Sequence, residues 1–300
     1  MQLVRHHRPR RGLASLPGKY ALQIARTLWD LGRLRPRVLA CMSPSPLTAL
    51  PVWLYCRTTG ASFVIDAHTG AFLGPPWERF GALQDFFCRR AALTLVTNET
   101  LARRVEHAGG RAMLVPDVPT ETSAPVHREP GFTALFVASF GLDEPVDVVV
   151  EAARRCPGIR VLVTGKPRGP GAGALADAPS NVQSLGFVER SRYLSLVASA
   201  DVVIALTTRD HTMQRAAYEA IYLGTPVIVS DWPLLRENFG EGGLTCANEP
   251  EALARSLRTA REQRSSLREG ASRLRAAKQA RWSRIERELR TRLETLESHP

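Results

Sequence analysis

Short runs rich in Val, Ile and Leu alternate with helix-patterned stretches along most of this chain, and that alternation constrains the fold more than any other feature. Parallel strands need a helix-length crossover between them, so a βα series folds as an open, mainly parallel sheet covered by helices. Two such series follow one another. The first predicts strands at Val38–Met42, Ser62–Ala67, Leu93–Thr97 and Ala112–Val115, with helices between them and one near Tyr20–Leu31. The proline-containing stretch Asp117–Gly131 reads as a linker. The second predicts strands at Thr133–Ala138, Arg160–Thr164, Asn181–Leu185, Asp201–Leu206, Val227–Ser230 and Leu244–Cys246. After Pro250 the pattern is helical to Glu297, with a break expected at Gly270. Leu274, Trp282, Ile285, Leu289, Leu293 and Leu296 form one apolar stripe there. The expected domains are 1–125, 126–270 and a final helix over 271–300.

Three hundred residues at 44% hydrophobic content suffice for two packed cores. The formal net charge of +11 is high for an enzyme of small metabolites and points to an anionic partner, either a phosphate-rich ligand or an acidic membrane surface. The basic N-terminal stretch is not followed by an apolar run of signal-peptide length. Val38–Cys56 is interrupted by Pro44, Pro46 and Pro51, so no membrane span is expected. The expected location is the cytoplasm, with the inner face of the membrane as a peripheral site. Five widely spaced cysteines contain no C-x-x-C pair and read as reduced, structural thiols without a zinc or redox role.

The most informative segment runs from Asp201 to Asp231 as strand, loop, helix, strand and loop. Within it, Tyr218-Glu219-Ala220-Ile221-Tyr222-Leu223-Gly224-Thr225-Pro226 resembles the second half of the hallmark of a large, mostly retaining family of GT-B glycosyltransferases. That hallmark is a pair of glutamates with seven residues between them, followed by a small-residue turn. Gly165 closing Val-Leu-Val-Thr-Gly, the Gly186-Phe187-Val188 helix opening and Gly243-Leu244 ahead of Pro250 extend the match over roughly residues 132–258. The resemblance implies an α/β fold of the GT-B type: two Rossmann-like parallel-sheet lobes facing across a cleft, the first one shortened, with a helical C-terminus. It implies transfer of a sugar from a nucleoside-diphosphate sugar to a hydroxyl acceptor, a saccharide or a lipid-linked group. No cofactor and no obligatory metal are expected, since the family meets phosphate charge with protein groups and no metal-ligand cluster stands out.

Several residues carry these expectations. A carboxylate can accept from two vicinal hydroxyls, the role the resemblance gives Glu219 at the nucleotide ribose; the competing reading is an ordinary helix glutamate. Where the first hallmark glutamate belongs, His211 stands with Asp210 before it, and both are candidates for the donor sugar. The loop Thr207–Thr212 and the helix it starts offer backbone N–H groups to a diphosphate, with Thr212 at their junction. The Arg and Lys that the family places after the first donor-lobe strand are replaced by Phe140 and Glu144. Lys166, with Arg168 and Arg215 behind it, is the best substitute cation; the alternative is a solvated surface lysine. In the first half, Asp66 and His68 sit two apart at a strand end and resemble the acceptor-side histidine loop, where His68 would handle a proton and Asp66 orient its ring. An Asp and a His that merely close the loop are the alternative.

Two other classes of function stay in view. The replaced phosphate cations and short first half fit a nucleotide-sugar-binding or accessory subunit. The net charge fits a membrane-surface or nucleic-acid binder, although no nucleic-acid motif is present and the few aromatics are not interleaved with the basic runs.

Overall fold

The computed structural model describes residues 16–43, 45–67, 69–73, 77–116, 118–119 and 123–298. The chain forms two compact units, one of residues 1–116 and 285–300, the other of residues 117–284.

The first unit runs α1 (Leu16–Leu34), β1 (Val38–Ser43), α2 (Ala49–Thr59), β2 (Ser62–Ala67), α3 (Thr69–Leu73), α4 (Gly81–Arg90), β3 (Leu93–Val96), α5 (Glu99–His107) and β4 (Ala112–Leu114). Its strands form a parallel sheet in the order β1-β2-β3-β4, with Val38 opposite Ser62 and Val64 opposite Leu93. Apolar side chains leave β2 on both faces, as a parallel strand covered twice requires. Phe63 and Ile65 join a core with Phe72, Phe87 and Leu101, while Val64 joins Leu93 and Met113. Asn98 fixes the start of α5, its Oδ1 accepting from Leu101 N at 3.0 Å.

The second unit contains β5 (Thr133–Val137), α6 (Val146–Arg154), β6 (Arg160–Thr164), α7 (Gly169–Ala176), β7 (Val182–Gly186), α8 (Arg190–Ser199), β8 (Val202–Ala205), α9 (Arg215–Tyr222), β9 (Val227–Ser230), α10 (Pro233–Phe239), β10 (Gly243–Cys246), α11 (Pro250–Glu262) and α12 (Arg264–Ser298), the last reaching into the first unit from Ile285. The six-stranded sheet is parallel in the order β10-β9-β8-β5-β6-β7. Its interior strands β8 and β9 are buried at every position, which is why they read as continuous Val and Ile runs. One face packs Phe136, Val149, Val163 and Leu253, and the other Leu135, Val203, Tyr218 and Phe239. The fold is of the GT-B type: two Rossmann-like parallel-sheet lobes, the first with four strands and the second with six, and a helical C-terminus.

The expected break at Gly270 is not there. The helices divide at Gln263 instead, and Gly270 lies inside α12. A Cβ at Gly270 would stand 2.4 Å from the carbonyl oxygen of Glu241. Close backbone approach, not helix termination, requires glycine at this position. The apolar stripe of α12 is divided in use: Leu274 packs in the second unit, while Ile285, Leu289, Leu293 and Leu296 cover Val64, Leu93 and Met113 in the first. All five cysteines are buried and free, and burial raises the thiols of Cys41, Cys56 and Cys246 to about 11.

Asp201 holds α12 to the sheet. Its Oδ2 accepts from Thr133 N at 2.9 Å, and its Oδ1 meets Arg264 at 2.5 Å and Arg268 at 3.2 Å. Removing one member of a buried charge cluster leaves the others unmatched and costs about 3–5 kcal/mol. Asp201→Ala is therefore expected to lower the urea unfolding free energy by about 3 kcal/mol or more. Arg264→Ala, which leaves Arg268 on the carboxylate, should cost clearly less.

Candidate functional site

In an open parallel sheet a ligand settles beyond the carboxyl ends of the strands, where the strand order reverses. Here the reversal lies between β5 and β8, since β6 and β7 follow on one side and β9 and β10 on the other. The loops leaving β5 and β8 are tied together at that point. Asp143 Oδ2 accepts from Thr207 Oγ1 at 3.1 Å, and the Asp143 carbonyl accepts from Thr208 N at 2.8 Å. Thr207 is fully buried: its N–H donates to Ser230 Oγ, and its carbonyl accepts from Trp232 Nε1 and Asn248 Nδ2. Loops from four strands thus converge on one threonine, which makes the switch point a fixed platform.

Phe140 and Glu144 shape the loop after β5. Phe140 adopts φ 57°, and its buried ring lies against Gly165 and Gly171. Gly165 itself has φ 105°, and a Cβ there would stand 1.9 Å from the Ala138 carbonyl oxygen, so only glycine fits. Glu144 turns back on its own loop. Its carboxylate accepts from Ser139 N at 2.8 Å, Ser139 Oγ at 2.9 Å and Gly141 N at 3.1 Å. The backbone donors of this loop are therefore engaged by an internal anion.

Glu219 sits in the middle of α9 with only 5% of its surface exposed. Oε1 accepts from Arg190 Nη1 at 2.7 Å and from Arg215 Nε at 3.1 Å, and Oε2 accepts from Tyr193 Oη at 2.6 Å. Burial pushes its carboxyl group up, but the three hydrogen bonds and the arginine charge outweigh this and hold it below the usual carboxylate range. Burial first, and then the charge and hydrogen bond of Glu219, push the Tyr193 phenol far up, so it stays a donor. Arg190 opens α8 directly beyond β7, and Arg215 opens α9.

The other sequence-identified residues fall into two groups. Asp210, His211 and Thr212 form one turn. His211 takes φ 57°, its N–H donates to Asp210 Oδ1 at 2.6 Å, its Nε2 lies 3.6 Å from Asp210 Oδ2, and Thr212 Oγ1 donates to the Asp210 carbonyl at 3.4 Å. Lys166 is exposed just beyond Gly165 and, among the described residues, forms no ion pair. In the first unit Asp66 is exposed on β2, beside Met42 and Leu95 in register. His68 lies outside the described residues. Arg190 and Tyr193 escaped sequence reasoning because they stand a whole βα unit before Glu219. The signal was present but weak, an arginine and a tyrosine on the helix opened by Gly186-Phe187-Val188. Among the described residues, no group of three His, Cys, Asp or Glu side chains is arranged to hold a metal ion.

Residues 131–263 match the model of the family described as glycosyl transferases group 1. That stretch is a group 1 glycosyltransferase domain. Within it lie both arginines, Tyr193 and Glu219. Relatives by sequence include the D-inositol 3-phosphate glycosyltransferases of Mycobacterium marinum, 28% identical over 38% of this chain, and of Mycobacteroides abscessus, 32% identical over 34% of it. Each alignment spans 28% of the relative's own length. The likeness to solved structures is wider. Sucrose-phosphate synthase from Thermosynechococcus elongatus superposes with a TM-score of 0.79 at 16% identity, covering 94% of this chain and 79% of that one. Anabaena HepE, solved with UDP and glucose, superposes with a TM-score of 0.74 at 16% identity, covering 95% of this chain and 84% of that one.

The lowered Glu219 pKa has a consequence for the group 1 domain. A carboxyl group whose folded value lies below its unfolded value contributes fully above the unfolded value, and its contribution is lost as pH falls through the folded one. Stability measured by urea unfolding should fall with acid across that window. Glu219→Gln should flatten the slope there by up to about one proton's worth, and an unchanged slope would show that the carboxylate is not ionised in the folded chain.

Proposed function

We propose that this chain is a glycosyltransferase that moves a sugar from a nucleoside-diphosphate sugar to a hydroxyl acceptor, with the donor held on the second unit. The observation that carries the reading is an ionised carboxylate joined to two arginines in the group 1 domain, on helices that open at the carboxyl edge of the sheet. HepE, a neighbour in fold, was solved with UDP and glucose, which supports a nucleotide-sugar donor here. The inositol-phosphate transferases support a hydroxyl acceptor.

In this reading the bond between the sugar's anomeric carbon and the diphosphate oxygen breaks, and the acceptor oxygen bonds to that carbon and loses its proton. The diphosphate leaves with extra negative charge, which pre-placed cations stabilise in the transition state more than in the ground state. Lys166 and the turn of Asp210, His211 and Thr212 line the donor site with Glu219 and Arg215; protein groups, not a metal, meet the phosphate charge. Asp66 and His68 serve the acceptor, His68 taking up the proton. The reaction runs in the cytoplasm.

A thermal-shift screen of UDP, GDP and ADP tests the donor assignment, because a ligand of the folded state raises apparent stability by mass action. One of them is expected to shift the transition upward, and Glu219→Ala to abolish that shift. Release of the free nucleoside diphosphate from the matching sugar donor then tests turnover. Glu144 gives a second reading its footing, since it occupies loop amides where a cation is expected in the family. A shift without turnover over a broad acceptor panel would favour that reading, a donor-binding accessory subunit.

Peripheral contact with an anionic membrane belongs to the same proposal. No helix of the described residues is long and apolar enough to cross a membrane. Along α1, however, Ala21, Leu22, Ala25, Arg26, Trp29 and Arg33 are exposed at spacings that place them on one stripe, Trp29 at 69% and Leu22 at 52%. A tryptophan and a leucine interleaved with arginines suit the headgroup boundary of an acidic bilayer. Sedimentation with vesicles containing phosphatidylglycerol is expected, lost in Trp29→Glu and absent with neutral vesicles. Equal binding of the variant would remove α1 from the contact.

A further inference from the structure

In the first unit, the turns that precede β1 and β2 leave an open cavity of about 680 Å³, within the roughly 300–1,000 Å³ typical of small-molecule sites. Its place in the fold sets it apart from the residues already assigned. Arg37 and Ala61, which immediately precede β1 and β2, line it, whereas Asp66 lies near the far end of β2. At about 3.3 Å per residue, the two ends of the six-residue strand β2 stand roughly 17 Å apart.

The walls of the cavity are fixed by the way α1 and α2 end. Arg35, the residue after α1, takes φ 46°, and its N–H donates to the Leu31 carbonyl at 2.9 Å. Gly60, the residue after α2, takes φ 76°, and its N–H donates to the Cys56 carbonyl at 3.0 Å. Tyr55 Oη joins the two turns by donating to the Pro36 carbonyl at 3.3 Å. The left-handed region suits glycine, which α2 uses; α1 keeps an arginine at the same position, at a conformational cost. Room is left as well, since a Cβ at Gly32 or Gly60 would meet no atom within 4 Å.

The lining carries two cations, Arg35 and Arg37, and no acidic side chain. Both arginines are exposed, and neither guanidinium makes an ion pair or hydrogen bond with another described residue. The C-termini of α1 and α2 also reach this cavity, but a helix end carries only about half a charge, which fades within a turn. Two full charges therefore set its sign. A guanidinium presents a planar fork of donors that matches phosphate oxygens two at a time.

We infer that this cavity is a phosphate-ester site of the first unit, with Arg35 and Arg37 holding the phosphate oxygens. The nucleotide-sugar reading is not needed for it. Two sources share the chemistry, the headgroup of an acidic lipid and a soluble phosphate ester. Gly32 stands on α1 between the exposed Trp29 and Arg33, so the cavity adjoins the stripe assigned to the membrane, which favours the headgroup.

Calorimetric titration of the full chain with sn-glycerol 3-phosphate tests the site. Binding that falls with salt is expected. Arg35→Ala and Arg37→Ala should each weaken it about tenfold, as for loss of a charge-assisted bond. Arg103→Ala, which removes an exposed charge from α5, should leave it within about twofold. Gly32→Glu should abolish it by giving the arginines a carboxylate of the chain's own, with cooperative urea unfolding retained because the position has room. Sedimentation with phosphatidylglycerol vesicles separates the sources. A headgroup predicts that Arg35→Ala weakens vesicle binding about tenfold while Trp29→Glu leaves glycerol 3-phosphate binding intact; a soluble ester predicts that Arg35→Ala leaves vesicle binding unchanged. Glycerol 3-phosphate that fails to bind, or that binds equally to Arg35→Ala, Arg37→Ala and Gly32→Glu, overturns the site and leaves the membrane contact of α1 standing on its own vesicle result. Absence of vesicle binding by the unaltered chain removes that contact and leaves the cavity as a site for a soluble ester.

Discussion

The parallel pairing of β5 with β8 is the constraint on which the second unit's site depends. Side-chain bonds lock the pair at both ends. At the amino end Asp201 accepts from Thr133 N, and at the carboxyl end Asp143 accepts from Thr207 and Thr208. A two-ended lock fixes register, and in a sheet buried on both faces a slip would unpair a ladder that has no water to fall back on. The loops at the switch point therefore inherit their positions from the core. Asp201 also recruits Arg264 and Arg268, so the same pairing anchors the start of α12.

How far the sequence could be read follows from which interactions are local. Strands such as Val202–Ala205 and Val227–Ser230 were legible because burial on two faces leaves a run of β-branched residues with little else to become. The helix bearing Glu219 and the turn after it were legible through resemblance over a continuous stretch, and that same stretch matches the family model. Gly270 was misread because a glycine in a charged helical run looks like a stop, while the carbonyl of Glu241 that requires it comes from a distant loop. Arg190 and Tyr193 were missed for the same reason: their link to Glu219 exists only once β7, α8, β8 and α9 have packed.

Phe140 and Glu144 illustrate a subtler limit. The sequence displayed both as departures from the family pattern, but not what they do. Folded, Phe140 fills the space against Gly165 and Gly171, and Glu144 satisfies amides that would otherwise stand open. Each departure is locally stabilising. A buried aromatic ring and a carboxylate with three donors make this loop a closed, self-sufficient turn.

Positive charge is concentrated instead around Glu219. A buried carboxylate is costly unless matched, and Glu219 is matched by two arginines and a phenol where one cation would have neutralised it. A lone guanidinium at the surface would be mobile and screened, whereas one held through a buried carboxylate keeps its orientation. The group that resembles a ligand contact in sequence is thus engaged, in the folded chain, by side chains of its own unit.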